Sequence, residues 1–375
     1  MNGRIGIVRD FREEGWPSMD LVVDQLLEHW PTGQDPLEPV DLHFPYRRPA
    51  GKVPLLRRSR AAATIDRAYN RYVSLPKHLR TRRADFDFFH IADHSYAHLV
   101  HELPPERTGV YCHDLDAFRC LLEPKRERRG WAFRQMTKRL LDGLKKAAVV
   151  FHSTRAVGDA LQSLEIVAPR RLCLAPYGVE FADDISATAD AASGAVDLPR
   201  QPFLLHVGSC IPRKRIDVLL HVFAELRATE PDLRLVKIGA DWTPAQNELL
   251  KQLNLTSFVT HLGFVDRAVL AAAYRKAALT VVPSDAEGFG LPVIEALACG
   301  GAVLASDLPT LREAGGPQAL YAPVADVPAW TEMALSLLQE SAGPAATTAR
   351  IDWARQFTWD KHAQTVADAY RRLAT

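Results

Sequence analysis

The stretch LTVVPSDAEGFGLPVIEALACG (Leu279–Gly300) decides the fold. It opens as a short apolar run rich in β-branched residues, the pattern of a buried strand. From Leu291 the apolar spacing becomes helical, and Pro292 falls in the first turn, where a missing N–H costs nothing. EGFG is therefore a strand-to-helix loop. Gly288 and Gly290 let its backbone take positive φ and come close to a ligand. The unpaired N–H groups and the dipole at the helix start favour an anion there.

The same rhythm continues on both sides. FLLHVG, LRLVKIGA, FVTHLGF and AVLAS read as strands, each followed by a helical pattern. Alternating strands and helices predict a parallel sheet covered on both faces, with ligands beyond the carboxyl ends of its strands. The first half repeats this less regularly. RIGIVRD, VDLHF, DFFHIAD, TGVYCHD and AVVFHS are expected strands, several ending at Asp10, Asp93, His113 with Asp114, and Ser153. FADDISATADAASGAVDLPRQP has linker composition. We expect an α/β chain with a domain over 1–190, a second over 191–357, and a last helix over 358–375 packing back toward the first. The length of 375 residues agrees with two domains.

Seven residues separate Glu287 on the loop from Glu295 in the helix. With a helix start near Leu291, both carboxylates face one cleft, Glu295 in the first turn. One suits sugar hydroxyls and the other a ribose, with a diphosphate between them. The blander alternative is a surface glutamate and a dipole-favoured one. HVGSCIPRKRIDVLLHVF (His206–Phe223) supports the first reading: Arg213 and Lys214 follow a strand and Gly208, on the same sheet edge. A forked guanidinium and a point ammonium form a diphosphate clamp; a solvated basic loop is the alternative.

These motifs resemble the donor half of retaining glycosyltransferases of the GT-B fold, glycosyltransferase family 4. The matching segments are VGSCIPRKRIDVLL, HLGFV and SDAEGFGLPVIEALACGGAVLASDLPTLREAGG, with weaker matches in CHDLDAF, FHSTRAV and LAPYGVE. The resemblance implies two Rossmann-like doubly wound domains facing a central cleft. It implies that Glu287 contacts donor-sugar hydroxyls and that the backbone of Gly288, Phe289, Gly290 and Leu291 holds sugar and phosphate. Glu295 would bind the ribose, and Lys214 with Arg213 would neutralise the leaving diphosphate. His113 would lie near the outer hydroxyls of the sugar, and Gly15 near the phosphate. Gly208 and Ser209 belong to the donor loop, and base contacts come from around Gly239, Phe264 and Val265. Ser209 stands where many members carry arginine, and Arg213 is expected to supply that charge. The first loop has Trp16 and Pro17 after a single glycine, so Trp16 is an acceptor-side candidate, as are Asp93, His94, Tyr96 and Asp114.

The resemblance implies transfer of a hexose from a nucleoside diphosphate sugar to a sugar or lipid-linked acceptor, with retention, in glycan or polysaccharide biosynthesis. The leaving phosphate can take the acceptor's proton, so no protein nucleophile is required. An epimerase, a glycosyl phosphorylase and a non-catalytic sugar-nucleotide binding subunit remain as alternatives on the same fold. No cofactor or metal is expected. His94 and His98 have the spacing to share a helix face, but a sugar-binding or structural role is preferred.

A formal net charge of +1 speaks against nucleic acid as a partner. Five cysteines without a C-x-x-C pair fit a reducing compartment. No apolar run approaches a membrane span, and MNGRIGIVRDF lacks a signal-peptide core, so a cytoplasmic protein is expected. Bases are concentrated in the first half, from Arg47 to Arg83 and again in KRERRGWAFRQMTKRLLDGLKK (Lys125–Lys146). Either cluster is a candidate for peripheral contact with the inner membrane face. For the second, the preferred reading is a solvated basic face with Trp131 and Phe133 packed on the sheet.

Overall fold

The computed structural model describes residues 3–32, 37–52, 59–180, 198–340 and 343–374, with the Arg60 side chain excluded. The chain forms two compact units, Met1–Pro176 with Trp359–Thr375, and Tyr177–Thr358. The division thus falls at Pro176, ahead of the boundary expected at residue 190. Most of the expected linker, residues 181–197, lies outside the described residues.

Unit 1 holds a parallel sheet of β1 (Gly3–Val8), β2 (Leu37–Leu42), β3 (Phe88–Ile91), β4 (Thr108–Cys112), β5 (Val149–His152) and β6 (Leu172–Leu174), in the order β2-β1-β3-β4-β5-β6. Its helices are α1 (Pro17–Glu28), α2 (Arg60–Tyr69), α3 (Leu75–Arg82), α4 (Arg119–Leu122), α5 (Trp131–Lys146) and α6 (Arg155–Ser163). β3, β4 and β5 are buried along their whole length, which is why they read as unbroken apolar runs.

Unit 2 holds β7 (Phe203–Val207), β8 (Arg234–Ile238), β9 (Val259–Leu262), β10 (Leu279–Val282), β11 (Val303–Ser306) and β12 (Leu320–Ala322), ordered β12-β11-β10-β7-β8-β9. The helices are α7 (Ile216–Thr229), α8 (Pro244–Gln252), α9 (Arg267–Lys276), α10 (Leu291–Ala298), α11 (Pro309–Gly315), α12 (Val327–Gln339) and α13 (Pro344–Ala354). The final helix, α14 (Trp359–Ala374), belongs to unit 1. There it buries Tyr370, whose hydroxyl donates to the Phe89 carbonyl at 3.0 Å.

In each unit the strand order reverses beside the first strand. Unit 1 reverses between β1 and β3, and unit 2 between β7 and β10. Loops leaving adjacent strands in opposite directions open a crevice at that point, where such sheets bind ligands.

Two expectations fail here. Residues His94–His101 form a 3-10 helix. At three residues per turn, His94 and His98 fall on different faces. Trp131 and Phe133 do not pack on the sheet; they are 77% and 42% exposed. The helix that carries them overhangs the core at its N-terminal end. No described helix is long and apolar enough to cross a membrane.

Candidate functional site

Beside the reversal point of unit 2, the ends of β7 and β8 meet backbone to backbone. The Gly208 N–H donates to the Ile238 carbonyl at 3.0 Å, and the Gly239 N–H to that of Leu262 at 3.0 Å. Gly239 has φ +113°, and a Cβ on it would lie 2.5 Å from the Gly208 oxygen. Past Gly208 and a half-buried Ser209 the chain makes a 3-10 turn over Pro212–Lys214. It enters α7 through Arg215 at φ +48°, a left-handed conformation rarely taken without glycine.

That turn is locked to the loop after β10. The Asp285 N–H donates to the Arg213 carbonyl at 2.8 Å, and the Arg213 guanidinium donates to the Ala286 carbonyl at 2.9 Å. Glu287 gathers the rest. Its carboxylate accepts from Lys214 Nζ at 2.6 Å, Arg213 at 3.1 Å and Ser284 Oγ at 2.7 Å. Burial alone would raise its pKa. The Lys214 and Arg213 charges, with the bonds from Lys214 and Ser284, outweigh burial and hold it at about 2. Glu287, Lys214 and Arg213, given separate tasks by the sequence, form one cluster.

After Glu287 the chain turns through Gly288 and Phe289 to Gly290, at φ +100°, and α10 starts at Leu291. The Phe289 ring is buried, edge-on to Tyr177 and Phe357. Only its backbone can meet a ligand. Glu295 sits in the second turn of α10, not the first, because the helix begins at Leu291 and a turn takes about 3.6 residues. It accepts from the Tyr274 hydroxyl on α9 at 2.9 Å, and burial raises its pKa. Val265 is half-buried and Phe264 is 70% exposed, just past β9 and Gly263. Below the Gly208 turn, buried His206 donates from Nδ1 to the Val281 carbonyl at 2.9 Å, and Nε2 has no partner. The sequence reading missed Tyr274, Ser284 and His206. Ser284, at a strand's carboxyl end, carried the one signal that could have found it.

Unit 1 collects its polar groups at its own reversal point. Asp10 follows β1 and Asp93 follows β3, and their side chains hydrogen-bond. Burial and the Asp93 charge push Asp10 well up. Asp93, against the pull of its burial, is held low by the His94 and His113 rings. Asp10 Oδ2 is buried and has no hydrogen-bond partner among the described residues. Asp93 caps the 3-10 helix by accepting from Ser95 N–H at 2.6 Å. His94 Nδ1 accepts from the His113 N–H at 3.3 Å, and its Nε2 is 3.8 Å from Asp114. His113 donates from Nε2 to the Ala92 carbonyl at 2.8 Å, and burial lowers its pKa to about 4. His94, His113, Asp93 and Asp114 are thus brought together.

Tyr96 is not part of this group. It is 1% exposed, and its hydroxyl donates to Glu14 at 2.9 Å. Glu14 also takes a forked pair of bonds from Arg71, whose guanidinium lies 4.3 Å over the Tyr96 ring. Tyr96 thus packs inward, and its bond to Glu14 ties it to the turn that ends at Gly15. Gly15 takes φ +74° and Trp16, 41% exposed, precedes α1. The His98 ring lies tilted against Tyr72, with centroids 4.6 Å apart, and donates to the Arg71 carbonyl at 2.8 Å. Among the described residues no three His, Cys, Asp or Glu side chains are placed to hold a metal ion.

Comparison with known proteins bears on the family and the fold. Residues 194–345 match the family Glycosyl transferases group 1. The O-antigen chain mannosyltransferase B of Escherichia coli is 30% identical over 297 residues, 74% of this chain and 72% of that protein. A D-inositol 3-phosphate glycosyltransferase of Rhodococcus opacus is 32% identical over 244 residues, 60% of this chain and 54% of that one. Among solved structures, sucrose-phosphate synthase from Thermosynechococcus elongatus aligns over 99% of both chains, with a TM-score of 0.73 at 21% identity. The fold is of the GT-B type, and the chain belongs to the group 1 glycosyltransferases.

Proposed function

We propose that the chain transfers a hexose from a nucleoside diphosphate sugar to a hydroxyl of a sugar acceptor, free or lipid-linked, with retention of anomeric configuration. The observation that carries this reading is the Glu287–Lys214–Arg213 cluster at the reversal point of unit 2. An ionised carboxylate there can accept from donor-sugar hydroxyls. Two cations beside it can neutralise charge as the diphosphate leaves. The start of α10 adds N–H groups and a favourable dipole. Glu295, one turn along, is the candidate for the ribose, and the exposed Phe264 ring the candidate for the base. Backbone at Gly208, Gly239 and Gly288–Leu291 would hold donor sugar and phosphate.

In unit 1, His113, neutral and fixed by the Ala92 carbonyl, is the candidate for the outer sugar hydroxyls. Asp93, His94 and Asp114 are acceptor-side candidates. The departing phosphate would take the proton of the acceptor hydroxyl, so the reading needs neither a protein nucleophile nor a metal. A mannosyltransferase among the relatives favours hexose transfer over the epimerase and phosphorylase alternatives.

Thermal melting with UDP, GDP, ADP, TDP and CMP tests the donor. One diphosphate should raise the melting temperature, and Lys214→Ala should weaken that ligand by about tenfold or more. No response to any nucleotide, together with turnover that requires inorganic phosphate, would replace this reading with a phosphorylase.

A further inference from the structure

The first turns of α5 carry an apolar surface that unit 1 leaves uncovered. Trp131 is 77% exposed, and Phe133 and Met136 are each 42% exposed. α5 buries Thr137, Leu140, Gly143 and Leu144. At about 3.6 residues per turn, Trp131 lies about half a turn round the axis from Leu140, on the side away from the core. A Cβ on Gly130 would meet nothing within 4 Å, so the helix start stands clear.

The charges around it have one sign. Glu123 and Glu127 are neutralised by Arg126 at 3.1 Å and Arg129 at 2.9 Å. Lys125, Arg128, Arg134 and Lys138 are exposed and form no ion pair among the described residues. On the outward face the next acid, Asp142, comes about three turns after Trp131.

We propose that this end of α5 docks on an anionic lipid bilayer, with Trp131 in the headgroup layer and Lys125, Arg128, Arg134 and Lys138 against lipid phosphates. Tryptophan favours that layer because its ring is apolar and its N–H is polar. Each nearby lysine or arginine adds attraction to an anionic leaflet. A soluble polyanion would use the cations but gain nothing from the exposed Trp131 ring. A protein partner would need a groove to receive a protruding helix end, whereas a bilayer yields around it. The proposal stands on unit 1 alone and does not depend on the donor reading.

The test is co-sedimentation of the full chain with phosphatidylcholine vesicles, with and without phosphatidylglycerol. Trp131→Ser is compared with a variant changing Lys125, Arg128, Arg134 and Lys138 to Ser. All five side chains are exposed, so thermal melting should match wild type. Wild type should bind only the anionic vesicles and be released by salt. Trp131→Ser should lower partitioning about tenfold, and each cation removed should lower it about fivefold. Three results overturn the proposal: no binding of wild type to anionic vesicles, equal binding to pure phosphatidylcholine, or binding that neither variant weakens.

Discussion

At the scale of single residues, Glu287 carries the sharpest conflict in unit 2. Its carboxylate occupies the two cations that a diphosphate would need. Glu287→Gln keeps the shape and removes the charge. Transfer should then fall about a hundredfold or more, as for loss of a preorganised electrostatic contact. Affinity for the nucleoside diphosphate should be kept or increased, because Lys214 and Arg213 lose a competing anion. Steady-state kinetics with product inhibition would separate the two effects. Turnover like wild type would remove Glu287 from the chemistry, and a loss of diphosphate affinity would mean that the cations need Glu287 to be positioned. The variant also lacks one acid transition. A carboxylate depressed to about 2 from a usual 4.5 stabilises the fold above the higher value. That contribution is lost as pH falls through the lower one.

At the scale of elements, the close approach of β7 and β8 can be tested by two glycines that share positive φ and differ in surroundings. Gly15 has φ +74° with nothing within 4 Å of a Cβ, whereas a Cβ on Gly239 would meet the Gly208 carbonyl. Gly15→Ala should cost only the left-handed strain, about 1 kcal/mol. Gly239→Ala should cost clearly more and weaken the nucleotide as the two strand ends part. Chemical denaturation of both variants checks this, and equal mild losses would mean that the strand ends separate freely.

The contrast also shows what the sequence made legible. Buried parallel strands are apolar runs and their helices follow 3.6-residue spacing, so the sheets and the EGFG loop could be read directly. What escaped reading depends on partners far apart in sequence. Arg71 looked like one base among many until the fold placed it on Glu14, 57 residues away. Tyr274 meets Glu295 only because α9 packs beside α10. The 3-10 geometry of His94–His101 and the overhang of α5 leave periodicity unchanged, so neither His98 nor Trp131 could be placed in advance.

At the scale of the molecule, buried histidines set the response to acid. Burial lowers His90 to about 3 and His98, His113, His206 and His362 to about 4. Unfolded, each would take a proton near its usual value of 6.5. Between the two values the unfolded chain binds more protons than the native one, so stability falls as pH falls. The slope is about 1.4 kcal/mol per pH unit for each histidine. Four of the five lie in unit 1 and only His206 in unit 2. Asp10, whose pKa burial and the Asp93 charge raise, acts with the opposite sign. Against a typical stability of about 5–15 kcal/mol, four histidines at about 1.4 kcal/mol each per pH unit are enough to open a unit within about two pH units. Unit 1 should therefore lose protection first on acidification to about pH 5, while unit 2 holds. Hydrogen exchange read by mass spectrometry, corrected for the intrinsic pH effect, would show β3, β4 and β5 exchanging before β7, β8 and β10. The reverse order would mean that the histidine cluster of unit 1 already accepts protons in the native state.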